Sequence, residues 1–262
     1  MVQTEKELTS TPLDVPEFYD LLAPDYDVMT GLEKRFVQEK PYFRLIVERY
    51  GIKTALDAGC GSGFHAMLLS ELGVQVTALD ASKEMLKRTR ANARVRGVKI
   101  KTIEASFEDL GKAVNRNFGS VFVLGNSLPH LRRVEDLSRV LANFSARLEP
   151  NGALFTQTLN YDRIMATKDR LQNTKEVGDR TFVRFYDYDE AGILFNILTQ
   201  TRLKSRVEEK LKTIRLRPIL RNEFVELLLR NGFIDIKVFG GISLEPFDPM
   251  VSKDLVVLAR KS

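Results

Sequence analysis

The stretch Ala55-Leu-Asp-Ala-Gly-Cys-Gly-Ser-Gly63 decides the fold, because it joins a β-rich run to a helical pattern through three glycines at alternate positions. Residues 53–58 have the composition of a strand, and residues 64–72 repeat apolar side chains at helical spacing. Glycine lets the backbone turn tightly and lets a ligand approach without a Cβ clash. In open α/β sheets such a turn lies at the carboxyl ends of the strands, where ligands bind. The stretch therefore predicts a ligand-binding turn between a strand and a helix.

An acidic residue downstream narrows the class of ligand. The dinucleotide fingerprint G-x-G-x-x-G is excluded because position 64 is Phe64, and the Gly-Lys-Ser/Thr of a phosphate-binding loop is absent. Asp80 follows the second predicted strand, where a carboxylate can accept hydrogen bonds from both hydroxyls of an adenosine ribose. The same carboxylate also favours the N-terminus of the next helix. Loop and acid together predict an adenosine-containing ligand.

The pattern around this turn alternates between strands and helices. Further strands are predicted at residues 74–79, 98–103, 120–124 and 153–159. Such alternation is typical of βαβ units, which form a parallel sheet with both faces covered. After Asn160 the pattern changes to three polar-interleaved runs, which favour antiparallel strands. We therefore predict an α/β fold: a Rossmann-like, seven-stranded, mostly parallel sheet with helices on both faces, an N-terminal helical lid and an antiparallel β insertion after strand five.

This pattern divides the chain into four segments. Residues 1–50 form an N-terminal helical cap, and residues 51–160 form a cofactor-binding core. Residues 161–217 are the antiparallel insertion on the substrate side, and residues 218–262 complete the core sheet.

The composition excludes several classes of protein. The 262 residues include 40 Lys and Arg against 35 Asp and Glu, two His, one Cys and no Trp, and 44% are hydrophobic. That apolar fraction is too high for a disordered chain, and a lone cysteine cannot form an internal disulfide. The first ten residues lack a signal-peptide pattern, and no apolar run approaches the ~20 residues of a membrane helix. The composition predicts a soluble, cytoplasmic protein without a membrane span.

Two stretches hold much of the positive charge. Residues 83–101 contain eight Lys and Arg with one acid, and residues 202–221 contain eight with two acids. Such stretches can follow a phosphate backbone, but the first lies on a predicted solvent-facing helix and lacks interleaved aromatic residues. We therefore do not expect a nucleic-acid substrate. Two isolated histidines and one cysteine also predict no metal site.

The segments ALDAGCGSG at residues 55–63 and ALDAS at residues 78–82 closely resemble the nucleotide-binding half of class I S-adenosylmethionine-dependent methyltransferases. The resemblance implies that S-adenosylmethionine is the cofactor, that the glycine loop packs against its methionine part, and that Asp80 holds its ribose. The residues implied as cofactor contacts are Tyr19, Tyr26, Arg35, Asp57, Ala58, Gly59, Gly61, Gly63, Asp80, Ala81, Met85, Ser106, Phe107, Leu124 and His130.

A narrower resemblance, to glycine and sarcosine N-methyltransferases, lies in Leu124-Gly-Asn-Ser-Leu-Pro-His-Leu131 and Leu159-Asn-Tyr-Asp162. It implies that Asn126 and His130 face the active-site cleft. Three residues are therefore candidates for catalysis. His130 is either a general base or a group that only hydrogen-bonds the cofactor or a carbonyl, while Asn126 and Tyr161 are placed to orient the acceptor.

One departure from that family affects the acceptor. Glycine-type enzymes place an arginine before Asn-Tyr-Asp, where it binds the carboxylate of the amino acid, whereas this chain has Leu159. The change removes a bidentate anchor and predicts an acceptor less anionic than glycine. Arg163 or Arg184 could supply a substitute from elsewhere in the pocket.

The motifs together predict an S-adenosylmethionine-dependent methyltransferase for a small-molecule acceptor, with N-methylation of an amine or an amino-acid-like compound as the main hypothesis. Two alternatives stay open at this point. The chain could methylate RNA or protein through its basic stretches, or it could bind the cofactor without turnover. The sequence does not identify the acceptor, the methylated atom or the oligomeric state.

Overall fold

A computed structural model describes residues 11–262 of the chain, so the ten residues that lack a signal-peptide pattern lie outside the described range. Its helices are α1 (Val15–Thr30), α2 (Leu32–Tyr50), α3 (Phe64–Glu71), α4 (Lys83–Val95), α5 (Leu110–Ala113), α6 (Val134–Arg147), α7 (Tyr161–Thr167) and α8 (Arg221–Arg230). Its strands are β1 (Thr54–Ala58), β2 (Gln75–Asp80), β3 (Lys101–Glu104), β4 (Phe118–Val123), β5 (Leu148–Leu159), β6 (Leu171–Val177), β7 (Arg180–Asp189), β8 (Gly192–Arg202), β9 (Val207–Leu216), β10 (Phe233–Phe239) and β11 (Asp254–Lys261). No helix within this range is long and apolar enough to cross a membrane.

Seven strands form the main sheet, in the order β10-β11-β5-β4-β1-β2-β3. Strands β1 to β5 pair in parallel, and β11 pairs antiparallel with both β5 and β10. The predicted fold class is thereby confirmed. The strand order reverses between β1 and β4, and the loops that leave these two strands flank a crevice at the carboxyl edge of the sheet, where ligands bind in open α/β folds.

Both faces of the main sheet are buried under helices. On one face α2 and α3 bury Phe43 and Met67 against the strands. On the other face α6 and α8 contribute Phe144 and Phe224. Burial on both sides explains why β1 and β4 read as apolar runs without alternation.

The insertion forms a separate four-stranded antiparallel sheet, in the order β6-β7-β8-β9. Helix α1 packs on one face of this sheet, where Phe18 and Leu22 meet Phe182, Ile197 and Ile214 in one apolar cluster. Helix α1 also contacts α4 of the core. The N-terminal helix therefore lies between the core and the insertion.

Three of the elements given above were not expected from the sequence: the four-residue helix α5, strand β6 and helix α7. Strand β6 is mostly exposed and polar, so its residues show no alternation that marks a strand. Helix α7 is only seven residues long and begins at Asn160, whose side chain accepts a hydrogen bond from the Arg163 amide (3.2 Å). The Asn-Tyr-Asp sequence thus carries a helix N-cap.

Candidate active site

The glycine loop after β1 adopts the left-handed backbone that its sequence predicts. Gly59, Gly61 and Gly63 have φ of 71°, 56° and 87°. A Cβ on Gly59 would lie 2.9 Å from the Ser127 hydroxyl oxygen and 3.1 Å from the Phe107 ring. Glycine at position 59 therefore permits the loops after β1, β3 and β4 to meet around a common space.

The acid at the end of β2 fixes this loop. One carboxylate oxygen of Asp80 accepts a hydrogen bond from the Gly61 amide (2.8 Å), and the other accepts one from the Ser82 amide (2.8 Å). Burial raises the pKa of Asp80, while these amide donors act in the opposite direction. A carboxylate oxygen has lone pairs beyond one hydrogen bond, so Asp80 retains acceptor capacity toward a bound hydroxyl.

Helix α1 covers the loop from above. Asp20 accepts hydrogen bonds from the Ser82 hydroxyl (2.5 Å) and the Glu84 amide (3.1 Å), which ties α1 to the start of α4. The ring of Tyr26 lies beside Gly61, at 3.6 Å from the position of a Cβ there. The helical cap expected from the sequence therefore does lie over the glycine loop.

A cavity of about 290 Å³ lies between these elements. Eleven of the residues implied as cofactor contacts line it: Tyr19, Tyr26, Arg35, Gly59, Gly61, Asp80, Ala81, Ser106, Phe107, Leu124 and His130. Every lining residue precedes position 132, so the insertion contributes nothing to this cavity within the described residues.

Four implied contacts lie outside the cavity. Ala58 is buried in the sheet, and Gly63 packs against the Thr89 side chain. Met85 is buried in the apolar cluster beneath α1. Asp57 is 1% exposed, and burial followed by the nearby Asp80 charge raises its pKa to about 7. These four residues support the walls of the cavity and do not form its surface.

Arg35 occupies the junction between this cavity and a second one. Its guanidinium donates to Glu39 (2.7 Å) and lies over the Phe64 ring, 3.9 Å from the ring centroid. It also lies 3.3 Å from Nε2 of His65. The cation is thereby held in place by three neighbours while still lining both cavities.

His130 also lines both cavities and contacts α1. Its Nε2 atom lies 2.8 Å from the Tyr19 hydroxyl, and its Nδ1 atom is buried without a partner among the described residues. Burial lowers the pKa of His130 to about 4, so the ring is neutral at pH 7. When the Tyr19 hydroxyl donates to Nε2, the ring proton resides on Nδ1, which is then a free donor.

The second cavity, of about 350 Å³, adjoins the first. Tyr19, Tyr26, Arg35, Gly125 and His130 line both. The further wall of the second cavity comes from β5, β11 and the insertion, through Gln157, Leu159, Asp254, Arg184, Tyr186, Phe195 and Leu216, among others.

Asn126 lines the second cavity and uses its side chain within the protein. Its carbonyl oxygen accepts from the Leu159 amide (3.0 Å), and its amide donates to the Tyr161 hydroxyl (3.0 Å). Tyr161 is fully buried and lines neither cavity. Of the three candidate catalytic residues, Tyr161 is therefore the one that borders neither cavity, and its hydroxyl contacts Asn126.

Sequence reasoning missed part of both walls. Gly125 and Ser127 line the first cavity and stand beside the motif residues, so the G-N-S signal could have included them. Phe195 and Asp254 line the second cavity but come from elements far apart in sequence. No local pattern identifies these two, because only tertiary packing brings them together.

Comparisons with known proteins agree with this geometry. Residues 55–152 match the family model described as a methyltransferase domain. A glycine/sarcosine N-methyltransferase of Parasynechococcus marenigrum is 29% identical over 73% of this chain and 73% of its own length. The corresponding enzyme of Halorhodospira halochloris is 30% identical over 62% of this chain and 63% of its own length. A crystal structure of an S-adenosylmethionine-dependent methyltransferase from Clostridium acetobutylicum superimposes with a TM-score of 0.78 at 15% identity, covering 93% of this chain and 99% of that one.

The first cavity has the groups that S-adenosylmethionine requires. Asp80 offers acceptors for ribose hydroxyls, while Ser106 and Phe107 offer a polar and an apolar contact for adenine. A Cβ on Gly125 would meet nothing within 4 Å, so the backbone there borders open space. Arg35 contributes a cation to the cavity wall, which is the kind of group that pairs with a carboxylate. The fold, the glycine loop and the methyltransferase domain matched over residues 55–152 are together those of the class I S-adenosylmethionine-dependent methyltransferases, and the fit of the first cavity agrees with them.

Proposed function

We propose that the protein transfers a methyl group from S-adenosylmethionine to the nitrogen of a small-molecule amine. The observation that carries the proposal is the adjacency of the two cavities, which share Tyr19, Tyr26, Arg35, Gly125 and His130. The cofactor supplies a methyl group bonded to a positively charged sulfur. The chain's own task is to hold an acceptor nitrogen against that group and to exclude water.

The first cavity is proposed to bind the cofactor through the eleven implied contacts that line it. The four other residues, Asp57, Ala58, Gly63 and Met85, are proposed to shape it from behind. Positioning of two reactants can lower a barrier by about 7–11 kcal/mol, so a rigid cavity is itself a catalytic device.

We propose that His130 orients the acceptor and does not act as a general base. A ring with a pKa of about 4 is a weak base at neutral pH, and its Nε2 atom is already engaged by Tyr19. A free Nδ1–H can donate to an oxygen of the acceptor or the cofactor. Asn126 is proposed to hold the loop after β4 in register with the end of β5, and Tyr161 to support Asn126.

The size of the second cavity, about 350 Å³, supports a small acceptor over RNA or protein. Helix α1 and the insertion cover the second cavity. Two arginines of the basic stretch at residues 83–101 are also engaged within the protein, since Arg88 pairs with Asp27 and Arg96 pairs with Glu71. A cytoplasmic location stays a prediction from composition.

The test is an assay of S-adenosylhomocysteine release with a panel of amines, phenols, thiols and amino acids, after calorimetry has measured the affinity for S-adenosylhomocysteine. We expect binding of the demethylated cofactor and turnover of amines. Absence of binding at tens of micromolar would contradict the cofactor assignment. Binding with turnover confined to phenols or thiols would contradict N-methylation.

A further inference from the structure

The second cavity contains a guanidinium without a counterion. Arg184 lines this cavity from β7, and its Nε atom is buried with no hydrogen-bond partner. Among residues 11–262 its side chain makes no hydrogen bond and no ion pair. A guanidinium stays charged at any physiological pH, and partial burial of that charge without a partner is unfavourable. A ligand anion would remove that cost.

The acids that line the same cavity are engaged elsewhere. Glu39 pairs with Arg35 at 2.7 Å, and the side chain of Asp254 is hydrogen-bonded to Gln157. The titratable groups near Arg184 are the phenols of Tyr26 and Tyr186 and the ammonium of Lys175, and burial lowers the pKa of the Arg184 guanidinium. No protein carboxylate in the described cavity wall neutralises Arg184.

The wall beside Arg184 is apolar. Leu159, Phe195 and Leu216 line the cavity, and Leu159 stands where the glycine-type enzymes carry their carboxylate anchor. The cation in this cavity is thus Arg184, which comes from strand β7 of the insertion, while Leu159 contributes apolar surface.

We propose that Arg184 binds a carboxylate of the methyl acceptor, so that the acceptor is an amine that also carries a carboxylate. This inference rests on the proposed N-methyltransferase function and specifies its substrate class. A planar guanidinium binds a carboxylate through two parallel, charge-assisted hydrogen bonds, which fixes the orientation of the ligand as well as its charge. The apolar wall favours an acid with an apolar side chain over glycine. In proposing an acid, this inference differs from the expectation, drawn from Leu159, of an acceptor less anionic than glycine.

The structure also separates the two arginines that the sequence left as alternatives. The Nε atom of Arg163 is likewise buried without a partner, but Arg163 lies on α7 and lines neither cavity. Arg163→Gln is therefore a matched control for Arg184→Gln, because each removes one guanidinium with an unpartnered Nε.

The experiment measures binding by calorimetry to protein saturated with S-adenosylhomocysteine. The probes are glycine, L-leucine and L-phenylalanine, each beside its carboxamide, which keeps the size and removes the negative charge. We expect at least one acid to bind about tenfold more tightly than its amide. Arg184→Gln should bring this ratio close to one, Arg184→Lys should retain part of it, and Arg163→Gln should leave it unchanged.

The affinity for S-adenosylhomocysteine is measured first on every variant. It reports folding, and we expect Arg184→Gln to keep it within about twofold of the wild type. Loss of that affinity in an Arg184→Gln variant whose unfolding temperature is unchanged would make Arg184 a cofactor contact and overturn the inference. Three other outcomes would also overturn the inference. The amides could bind as well as the acids, none of the acids could bind detectably, or the preference for the acid could persist in Arg184→Gln. Failure of the wild type to bind S-adenosylhomocysteine would instead defeat the proposed function itself.

Discussion

The Tyr19 hydroxyl lies 2.8 Å from Nε2 of His130, and this contact joins α1 to the loop after β4 at the boundary between the two cavities. The two rings meet edge to face, with centroids 5.4 Å apart. Tyr19 thereby fixes both the position of the imidazole and the nitrogen that is left free. The orientation of His130 therefore depends on the position of α1 over the site.

Tyr19→Phe should lower kcat about fivefold, because it removes a hydrogen bond with a net value of about 1 kcal/mol and frees the imidazole to rotate. Steady-state kinetics with the best amine from the panel measures the effect. Tyr42→Phe is the control, since Tyr42 is exposed on α2 and lines neither cavity. An unchanged kcat in Tyr19→Phe would show that this contact has no part in catalysis.

Asp80→Ala should weaken the binding of S-adenosylhomocysteine by at least about tenfold, because it removes the acceptors proposed for the ribose hydroxyls. Asp80→Asn keeps one oxygen acceptor, so its affinity for S-adenosylhomocysteine should lie between those of the wild type and Asp80→Ala. Calorimetry gives the affinities. The unfolding temperature of each variant shows whether losing the hydrogen bonds from the Gly61 and Ser82 amides also destabilises the fold. Glu84→Gln, on the exposed side of α4, serves as the control. Equal affinities of Asp80→Ala and the wild type would show that Asp80 does not bind the ribose.

Gly59→Ala should abolish cofactor binding, whereas Gly73→Ala should not. Both positions have a left-handed backbone, with φ of 71° and 86°, so both variants carry a strain of about 1–2 kcal/mol. Only the Gly59 variant adds a Cβ that meets Ser127 and Phe107, because nothing lies within 4 Å of a Cβ on Gly73. Unfolding temperatures and S-adenosylhomocysteine affinities of the pair isolate the steric effect. Normal binding by Gly59→Ala would contradict the geometry of the loop.

Asp57→Asn should stabilise the protein at pH 8 and have little effect near pH 4. The carboxyl of Asp57 has a pKa of about 7 in the folded chain, against 3.8 as its ordinary value. Between these values the folded state binds more protons than the unfolded state, so stability falls as pH rises through this range. Three pKa units correspond to at most about 4 kcal/mol at pH 8.

Denaturant unfolding of both proteins at pH 4.5 and pH 8 checks this sign. The difference in the free energy of unfolding between Asp57→Asn and wild type should grow with pH. Ser70→Ala, a substitution on the surface of α3, should show no such trend. A difference that is constant or shrinks with pH would mean that Asp57 is charged in the folded state.

The cofactor side of the site was largely predictable, because its signals are local. Gly59, Gly61 and Asp80 each follow directly from a strand end, and parallel strands bring their carboxyl ends to one edge. Met85 was placed in the cavity by family resemblance, but it is buried beneath α1. Whether a helical residue faces a cavity or a neighbouring helix depends on the position of α1, which no spacing in α4 reveals.

The acceptor side was less predictable for a physical reason. Arg184 and Tyr186 lie two residues apart on β7 and share one face of the strand. That this face borders the core site follows from the packing of the insertion against α1 and the end of β5, which are distant in sequence. The Asn-Tyr-Asp motif illustrates the same limit, since Asn160 caps α7 and Asp162 accepts from the Arg221 amide (2.9 Å).

The confinement of the insertion to one cavity has an evolutionary consequence. Residues of β7, β8 and β9 line the second cavity and contribute nothing to the first. Substitutions on these strands can therefore change the cavity proposed for the acceptor without altering the cavity proposed for the methyl donor. Changes confined to this one segment can therefore alter the second cavity and leave the first cavity as it is.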